Sequence, residues 1–284
     1  MPQTGSRPAA DDAVSVERDL TYAHADGVDL CLDLYRPTDA AFERMPLVVY
    51  LHGGGWSTGS KSDDANERVA ALAAHGVVVA AVDYRLAPTA VFPAQLHDVK
   101  GALRWLRAHA ETLRIDSERI GIWGASAGAY LASLAALSPG DAVLEGDVGG
   151  NVEQSSAVQA VVHWFGQTDL AASAHRTPIE AKLLPFAFEA GLLGTTDATQ
   201  LALRAAGLSL PARTTASAPP FFIVHGDRDR IVPAAEGFAL HQALSRAGAV
   251  SRFELLAGAG HEDEAFDSAA HLAVTAAWLR AVLR

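Results

Sequence analysis

From residue 46 onward, short continuous apolar runs alternate with segments whose apolar residues recur at helical spacing. The apolar runs cover residues 47–51, 77–82, 120–123, 158–163, 221–224 and 252–256. Strands of a parallel sheet that helices cover on both faces are buried on both sides, and they have such uninterrupted apolar sequences. The pattern therefore predicts an α/β fold with a mostly parallel central sheet and helices on both faces.

Helices and an N-terminal hairpin are predicted around this sheet. Residues 14–23 and 28–35 form two predicted strands that meet at residues 26–27, where Asp-Gly is typical of a tight hairpin turn. A C-terminal helix is expected over residues 273–282, and a second helix after Pro93. The apolar stripe of that second helix, interpreted as core, comprises Leu96, Val99, Leu103 and Leu106.

Residues 170–219 interrupt the alternation, because they contain no clear strand. A loop of this length without secondary structure is uncommon in a compact domain. We predict a small helical cap inserted over the ligand-binding edge of a single domain, residues 1–284; ordinary helices packed on the sheet are the alternative. The large apolar residues of this insertion are Leu183, Leu184, Phe186, Phe188, Leu192 and Leu193.

A glycine loop follows the first buried run: residues 52–56 are His-Gly-Gly-Gly-Trp. Glycine permits positive φ and a close approach of the backbone to a ligand. The loop is therefore predicted to present N–H groups to a developing oxyanion. Phosphate binding is the alternative, but the order of Ser60 and Lys61 does not satisfy the Gly-Lys-Ser/Thr sequence of a nucleotide-binding P-loop.

Residues 124–128, Gly-Ala-Ser-Ala-Gly, lie between the apolar run 120–123 and a helix-like segment that begins at Ala129. This arrangement is typical of a nucleophile elbow, in which a serine occupies a strained turn between a strand and a helix. The pentapeptide also arises by chance. The motif alone therefore does not assign catalysis to Ser126; the assignment depends on a base and an acid elsewhere in the chain.

Such partners follow in the expected order, acid and then histidine. The run 221–224 leads into His-Gly-Asp-Arg-Asp at residues 225–229, and the run 252–256 leads into Gly-Ala-Gly-His at 258–261. Each segment comes just after the carboxyl end of a predicted strand, where α/β sheets bind ligands. His261 is therefore the candidate base, and the spacing leaves either aspartate of the first segment as the acid.

Taken together, these motifs resemble those of the α/β-hydrolase esterases and lipases. The resemblance covers the chain from about residue 19 to its C-terminus and is strongest to small bacterial esterases that include xylan acetyl and feruloyl esterases, with the hormone-sensitive-lipase group next. Two features depart from the latter group, Ala125 before the serine and the pair Ala129-Tyr130 after the elbow. The motifs are 52–56, Asp-Tyr-Arg-Leu-Ala-Pro at 83–88, Phe-Pro-Ala-Gln at 92–95, 124–128, His-Gly-Asp-x-Asp-x-x-Val-Pro at 225–233, and 258–261.

The resemblance implies a carboxylesterase with an α/β-hydrolase fold, and it selects Asp229, not Asp227, as the acid. Ser126 would attack the ester carbonyl, with His261 as the base, and an acyl-enzyme would follow. No metal or organic cofactor is required. The residues expected to line the oxyanion hole are Gly54, Gly55 and Ala127, and those expected to contact a short-acyl ester are Trp56, Trp164 and Phe165.

Two other functions remain open at this point. A small amidase such as an arylformamidase uses the same triad, and a ligand-binding receptor can arise on a hydrolase scaffold that has lost its base. The presence of serine, aspartate, histidine and the glycine loop favours an enzyme. Among the other histidines, His52 and His225 are interpreted as supports for their loops, whereas His163 either lines the acyl pocket or packs beneath it.

Composition narrows the partners. The formal charge is −11 and the predicted pI is about 5.4, which argues against nucleic acid and anionic membranes, because both attract clustered Lys and Arg. Cys31 is the only cysteine, so an intrachain disulfide is impossible. No secretory signal or spanning segment is visible in the sequence. We therefore expect a cytoplasmic protein that acts on a small-molecule ester; a homodimer is one assembly that these features allow.

Overall fold

The computed structural model describes residues 13–38, 44–171 and 188–284. These residues contain an eight-stranded sheet with the strand order β1-β2-β4-β3-β5-β6-β7-β8. β1 pairs antiparallel with β2 and β2 with β4, whereas the other neighbouring pairs are parallel. The predicted mostly parallel sheet is therefore confirmed. The strands are β1 Val14–Ala25, β2 Val28–Pro37, β3 Met45–Leu51, β4 Val78–Val82, β5 Ile115–Ala125, β6 Ala160–Trp164, β7 Phe221–Gly226 and β8 Ser251–Leu256.

Side-chain alternation along the buried strands builds a core on each face of the sheet. In β3, Leu47, Val49 and Leu51 belong to one core, called the first core below, and Val48 and Tyr50 belong to the core on the other face, called the second core. Successive strand residues point to opposite faces, so an uninterrupted apolar run supplies both cores at once. The predicted hairpin is also present, since Ala25 pairs with Val28 across residues 26–27.

Helices cover both faces in the described part of the chain. The first core includes the predicted apolar stripe of helix α1 (Ala94–Ala108), whose four leucine and valine side chains are fully buried. Helix α6 (Ala269–Val282) packs into the second core through Leu272, Ala276 and Leu279. No helix of these residues combines the length and apolarity that crossing a membrane requires. The α-helices of six or more residues are α1 Ala94–Ala108, α2 Ala127–Ala136, α3 Phe188–Leu193, α4 Ala198–Ala205, α5 Ala234–Ala247 and α6 Ala269–Val282.

The structure describes the predicted insertion 170–219 only in part. Helices α3 and α4 lie in it, and Leu192 and Leu193 of α3 are buried in the first core. Three of its apolar residues, Leu183, Leu184 and Phe186, lie outside the described residues. The helical content agrees with the prediction, and the cap itself stays a prediction.

Candidate active site

The serine of the elbow occupies a strained backbone position. Strand β5 ends at Ala125, helix α2 begins at Ala127, and Ser126 between them has φ 51° and ψ −118°. A side chain with a Cβ rarely adopts positive φ, and such strain is commonly stored at functional sites. The turn needs glycine on both sides: a Cβ on Gly124 would lie 2.3 Å from the carbonyl carbon of Gly128, and a Cβ on Gly128 would lie 2.2 Å from the carbonyl oxygen of Leu51.

Three loops at the carboxyl ends of β5, β7 and β8 bring the predicted serine, histidine and acid together. Oγ of Ser126 lies 2.9 Å from Nε2 of His261. Nδ1 of the same imidazole lies 2.7 Å from Oδ2 of Asp229. These distances form a continuous hydrogen-bonded chain from a carboxylate to a hydroxyl, with the imidazole between them.

The structure distinguishes the two aspartates that the spacing left open. Oδ1 of Asp229 accepts hydrogen bonds from the N–H groups of Ile231 and Val232, both at 2.9 Å, and its other oxygen faces His261. Burial disfavours its charged form, but hydrogen bonds from His225 and His261 outweigh burial and hold the pKa of Asp229 well below its usual range. Oδ1 of the exposed Asp227 instead accepts from the N–H of Gly258 at 2.7 Å, so this carboxylate ties together two turns.

The glycine loop comes close to this chain of hydrogen bonds. Gly54 and Gly55 have φ values of 101° and 58°. A Cβ on Gly54 would lie 2.3 Å from the carbonyl oxygen of Thr58, and one on Gly55 would lie 2.3 Å from the ring of Phe188. Within the described residues, the N–H groups of Gly54, Gly55 and Ala127 donate to no protein acceptor. The loop therefore requires glycine. Two unused N–H groups of the loop and that of Ala127, the residue after Ser126, are the available backbone donors in the described residues.

His52, at the start of the loop, supports the backbone. Its Nδ1 lies 2.8 Å from the carbonyl oxygen of Gly53, and its ring stacks on Tyr84 with centroids 4.3 Å apart. The hydroxyl of Tyr84 donates to the carbonyl oxygen of His52 at 2.8 Å. Burial lowers the pKa of His52, so the neutral ring is favoured. This placement agrees with the structural interpretation of His52.

A cavity of about 390 Å³ opens over the serine, within the range of small-molecule sites. Ser126, His261 and the three residues with free backbone donors line it, as does Trp56, whose indole N–H donates to the carbonyl oxygen of Ala127 at 3.0 Å. Several further residues line the cavity that were not expected there from the sequence. They are Thr58, Gln167, Phe188, Glu189, Ile231, Val232 and Glu262.

Trp164 and Phe165 do not line the cavity, which differs from the prediction. The Trp164 ring is fully buried in the second core, 4.8 Å from the ring of Trp123 and 5.6 Å from that of Phe266. Phe165 is also fully buried and packs edge-on against the His261 ring, with centroids 5.0 Å apart. Phe165 therefore supports the imidazole from behind, and Trp164 stabilises the sheet.

His163, for which two roles were open, packs beneath the site. It is fully buried on β6, with Nδ1 2.8 Å from Oγ of Ser133 in α2 and Nε2 3.1 Å from the carbonyl oxygen of Gly166. Burial lowers the pKa of His163 to about 4. A neutral imidazole here joins the sheet to the helix that follows the nucleophile.

The chain matches a known protein family. Residues 32–244 match the model of the BD-FAE family, which covers more than half of the chain. The chain belongs to the BD-FAE family of α/β-hydrolase esterases. This confirms the fold and the family that the sequence motifs resemble.

Individual relatives are esterases by name. Esterase LipC of Mycobacterium tuberculosis is 32% identical over 84% of this chain and 58% of its own length. Esterase LipQ of the same organism is 32% identical over 86% of this chain and 56% of its own length. The chain thus spans somewhat more than half the length of these curated relatives.

Solved structures show the same fold over nearly the whole chain. A truncated carbohydrate esterase from gut microbiota superimposes with a TM-score of 0.86 at 27% identity, covering 97% of this chain and 99% of its own. Esterase Est2 of Thermogutta terrifontis with bound propionate gives a TM-score of 0.75 at 26% identity, covering 97% of this chain and 96% of its own.

Proposed function

We propose that this BD-FAE protein is a serine carboxylesterase that hydrolyses short-acyl esters through Ser126, His261 and Asp229. The observation that carries the proposal is the hydrogen-bonded chain from Asp229 through His261 to Oγ of Ser126, which ends at the floor of a cavity. A base within hydrogen-bond reach of a hydroxyl, itself oriented by an acid, is the arrangement that activates a serine nucleophile.

In the proposed acylation step, Oγ of Ser126 attacks the ester carbonyl while Nε2 of His261 takes the hydroxyl proton. Asp229 holds the imidazole with its other N–H toward the carboxylate and stabilises the imidazolium that forms. The tetrahedral intermediate collapses when His261 returns the proton to the leaving alkoxide. Water then attacks the acyl-enzyme by the same proton transfers and releases the acid.

The negative charge on the carbonyl oxygen needs donors in place before the reaction. In this proposal the N–H groups of Gly54, Gly55 and Ala127 supply them, since they line the cavity and donate to no acceptor in the described residues. Preorganised donors stabilise an oxyanion strongly because they do not have to reorient during the reaction. The steps use protein groups and water, so activity should survive prolonged treatment with a chelator.

Short acyl groups are proposed because aromatic side chains limit the cavity. Trp56 forms part of its wall, and the ring of Phe188 lies directly against Gly55. Each methylene that fits improves binding by about 1 kcal/mol at most, whereas one that does not fit must displace an aromatic ring. The propionate in the structure of the Est2 relative is consistent with a small acyl site.

Rates across a panel of p-nitrophenyl esters from acetyl to palmitoyl test this proposal. We expect kcat/KM to peak at about two to six acyl carbons, to fall steeply beyond about eight, and to show no increase at an oil-water interface. A maximum at ten or more carbons would contradict the short-acyl assignment. Labelling by a fluorophosphonate, with Ser126→Ala as the unreactive control, separates a serine hydrolase from a non-catalytic binder.

A further inference from the structure

A second histidine contacts the carboxylate of Asp229. His225 is the penultimate residue of strand β7, and its side chain and that of Asp229 are both fully buried. Nε2 of His225 lies 2.8 Å from the carbonyl oxygen of Val232 and 3.3 Å from Oδ2 of Asp229. This Oδ2 is the oxygen that faces the imidazole of His261. One carboxylate oxygen therefore lies between two histidine rings.

The two neighbours of Nε2 determine which nitrogen of His225 carries the proton. A carbonyl oxygen and an ionised carboxylate are both acceptors, so Nε2 must carry the proton. Its N–H donates to the carbonyl oxygen of Val232, and Oδ2 of Asp229 lies 3.3 Å from the same nitrogen. Nδ1 has no hydrogen-bond partner in the described residues, and a Cβ on the nearby Gly237 would lie 3.0 Å from it. A proton on Nδ1 would leave a buried donor unsatisfied. The neutral ring with hydrogen on Nε2 is the form that fits.

The unpaired Nδ1 of His225 is a buried polar atom, which destabilises the fold. An apolar side chain would therefore suit the surroundings of Nδ1 better than histidine does. The compensating contacts are all on the Nε2 side. They join the end of β7 to Val232 by a hydrogen bond and place the Nε2–H dipole beside Oδ2 of Asp229. The backbone N–H groups of Ile231 and Val232 already hold Oδ1, so His225 acts on the oxygen that orients the catalytic imidazole.

We propose that His225 is a positioning residue of the triad, which holds Oδ2 of Asp229 in the direction of Nδ1 of His261. The proposal rests on the proposed esterase function. It distinguishes His225 from His163, another buried histidine, whose two ring nitrogens bond to Ser133 and to the carbonyl oxygen of Gly166 and do not contact the acid. The contact of His225 with Oδ2 favours the ionised form of Asp229, in agreement with the direction of its pKa.

Two substitutions test the role of the N–H. His225→Leu removes the donor, and His225→Gln keeps an amide donor at a similar reach. On p-nitrophenyl acetate, we expect kcat to fall about 10- to 100-fold in His225→Leu with KM within about threefold, because an N–H group beside the charged carboxylate is lost. His225→Gln should recover most of this loss. Rates are expressed per active site titrated with a fluorophosphonate, so unfolded protein does not contribute.

A double-mutant cycle separates positioning from a general structural effect. In an Asp229→Asn background, His225→Leu should reduce kcat less than about twofold further, because the carboxylate that it orients is gone. His163→Leu is the control, and its fold-loss should be the same in both backgrounds. An equal fold-loss for His225→Leu with and without Asp229, or no loss in either case, would overturn the inference. If the wild-type chain hydrolyses no ester at all, it is the proposed function that fails.

Discussion

Two clusters of buried polar side chains in this protein differ in what they leave open. The triad lies at the carboxyl ends of β5, β7 and β8. The second cluster, formed by Lys100, Arg104 and Glu145, lies where α1 packs against a short helical turn at Ala142–Glu145. It borders a cavity of about 330 Å³, which is comparable to that of the active site. Burial, charge and a neighbouring cavity therefore occur in both places.

In the second cluster every charge is matched by a protein group. Nζ of Lys100 donates to the carbonyl oxygen of Ser138 at 2.5 Å and to Oε1 of Glu145 at 2.9 Å. Arg104 donates to carbonyl oxygens, including that of Val148 at 3.1 Å, and to Oε2 of Glu145. Burial opposes the charge of Lys100 and lowers its pKa. These side chains hold α1 to the segment that follows α2, and no reactive atom is left for a substrate.

In the triad, by contrast, the last member of the hydrogen-bonded chain faces the cavity. Ser126 lines it and has a strained backbone, and three unpaired N–H groups lie beside it in the described residues. Charged side chains in a core are therefore weak evidence of chemistry. A strained nucleophile with unused donors next to a cavity is stronger evidence. Each of these features lowers the stability of the fold, so it is expected to persist only where function requires it.

The largest effect is expected at the open end of the triad. Ser126→Ala or His261→Ala should lower kcat about 10⁴- to 10⁶-fold, since either change removes the nucleophile or its base. The free energy of unfolding, measured by urea denaturation of the same variants, should change little. Residual activity within about tenfold of the wild type would show that the triad is not the catalytic group.

The next largest effect is expected at the acid of the triad, and it distinguishes Asp229 from the neighbouring Asp227. Asp229→Asn should lower kcat about 10³- to 10⁴-fold, because the wrong imidazole tautomer is then favoured. Asp227→Asn is the matched control, since its carboxylate contacts Gly258 and not the imidazole. Its effect on kcat should be less than about tenfold. A larger loss at Asp227 than at Asp229, with folding intact, would reverse the assignment of the acid.

The second cluster should respond in stability and not in rate. Glu145→Gln leaves the buried Lys100 and Arg104 without their counter-charge, and we expect the free energy of unfolding to fall by about 2 to 3 kcal/mol, reduced by the partial exposure of Glu145. The kcat on p-nitrophenyl acetate should remain within about twofold. Glu153→Gln, at an exposed position, is the control. A large loss of kcat in folded Glu145→Gln would mean that this cluster takes part in catalysis.

The smallest effect concerns pH and His163. Its pKa is lowered to about 4 by burial, against about 6.5 for an exposed histidine. As the pH falls below about 6.5, the unfolded chain takes up a proton that the folded chain refuses, so stability that is fully present above this pH is progressively lost. Between pH 7 and 5, urea unfolding of the wild type should lose about 2 kcal/mol more than that of His163→Gln.

A substitution that removes no titratable group provides the control for this measurement. Val152 is exposed, and Val152→Ala should show the same change in stability between pH 7 and 5 as the wild type. If His163→Gln also follows the wild type, the acid sensitivity of the fold comes from groups other than the buried imidazole.

Local sequence patterns predicted the sheet, helices α1, α2 and α6, and the serine and histidine of the candidate triad, whereas the family resemblance selected Asp229 over Asp227. Apolar runs identify buried strands because a strand that is covered on both faces must be apolar at every position. The elbow and the glycine loop are recognisable because glycine is the residue that fits at Gly54, Gly124 and Gly128, where a Cβ would lie within 2.3 Å of the backbone. These requirements are local, so a single sequence reveals them.

Which side chains line the cavity depends on tertiary packing. Trp164 continues the alternation of β6 into the second core, so its direction is that of the strand. Phe165 has φ 38° and leaves strand geometry, so its direction did not follow from its position after the strand. Phe188 and Glu262 line the cavity, although they come from segments that are far apart in the sequence. The distances between loop residues depend on how whole elements pack, and no periodicity along the chain encodes them.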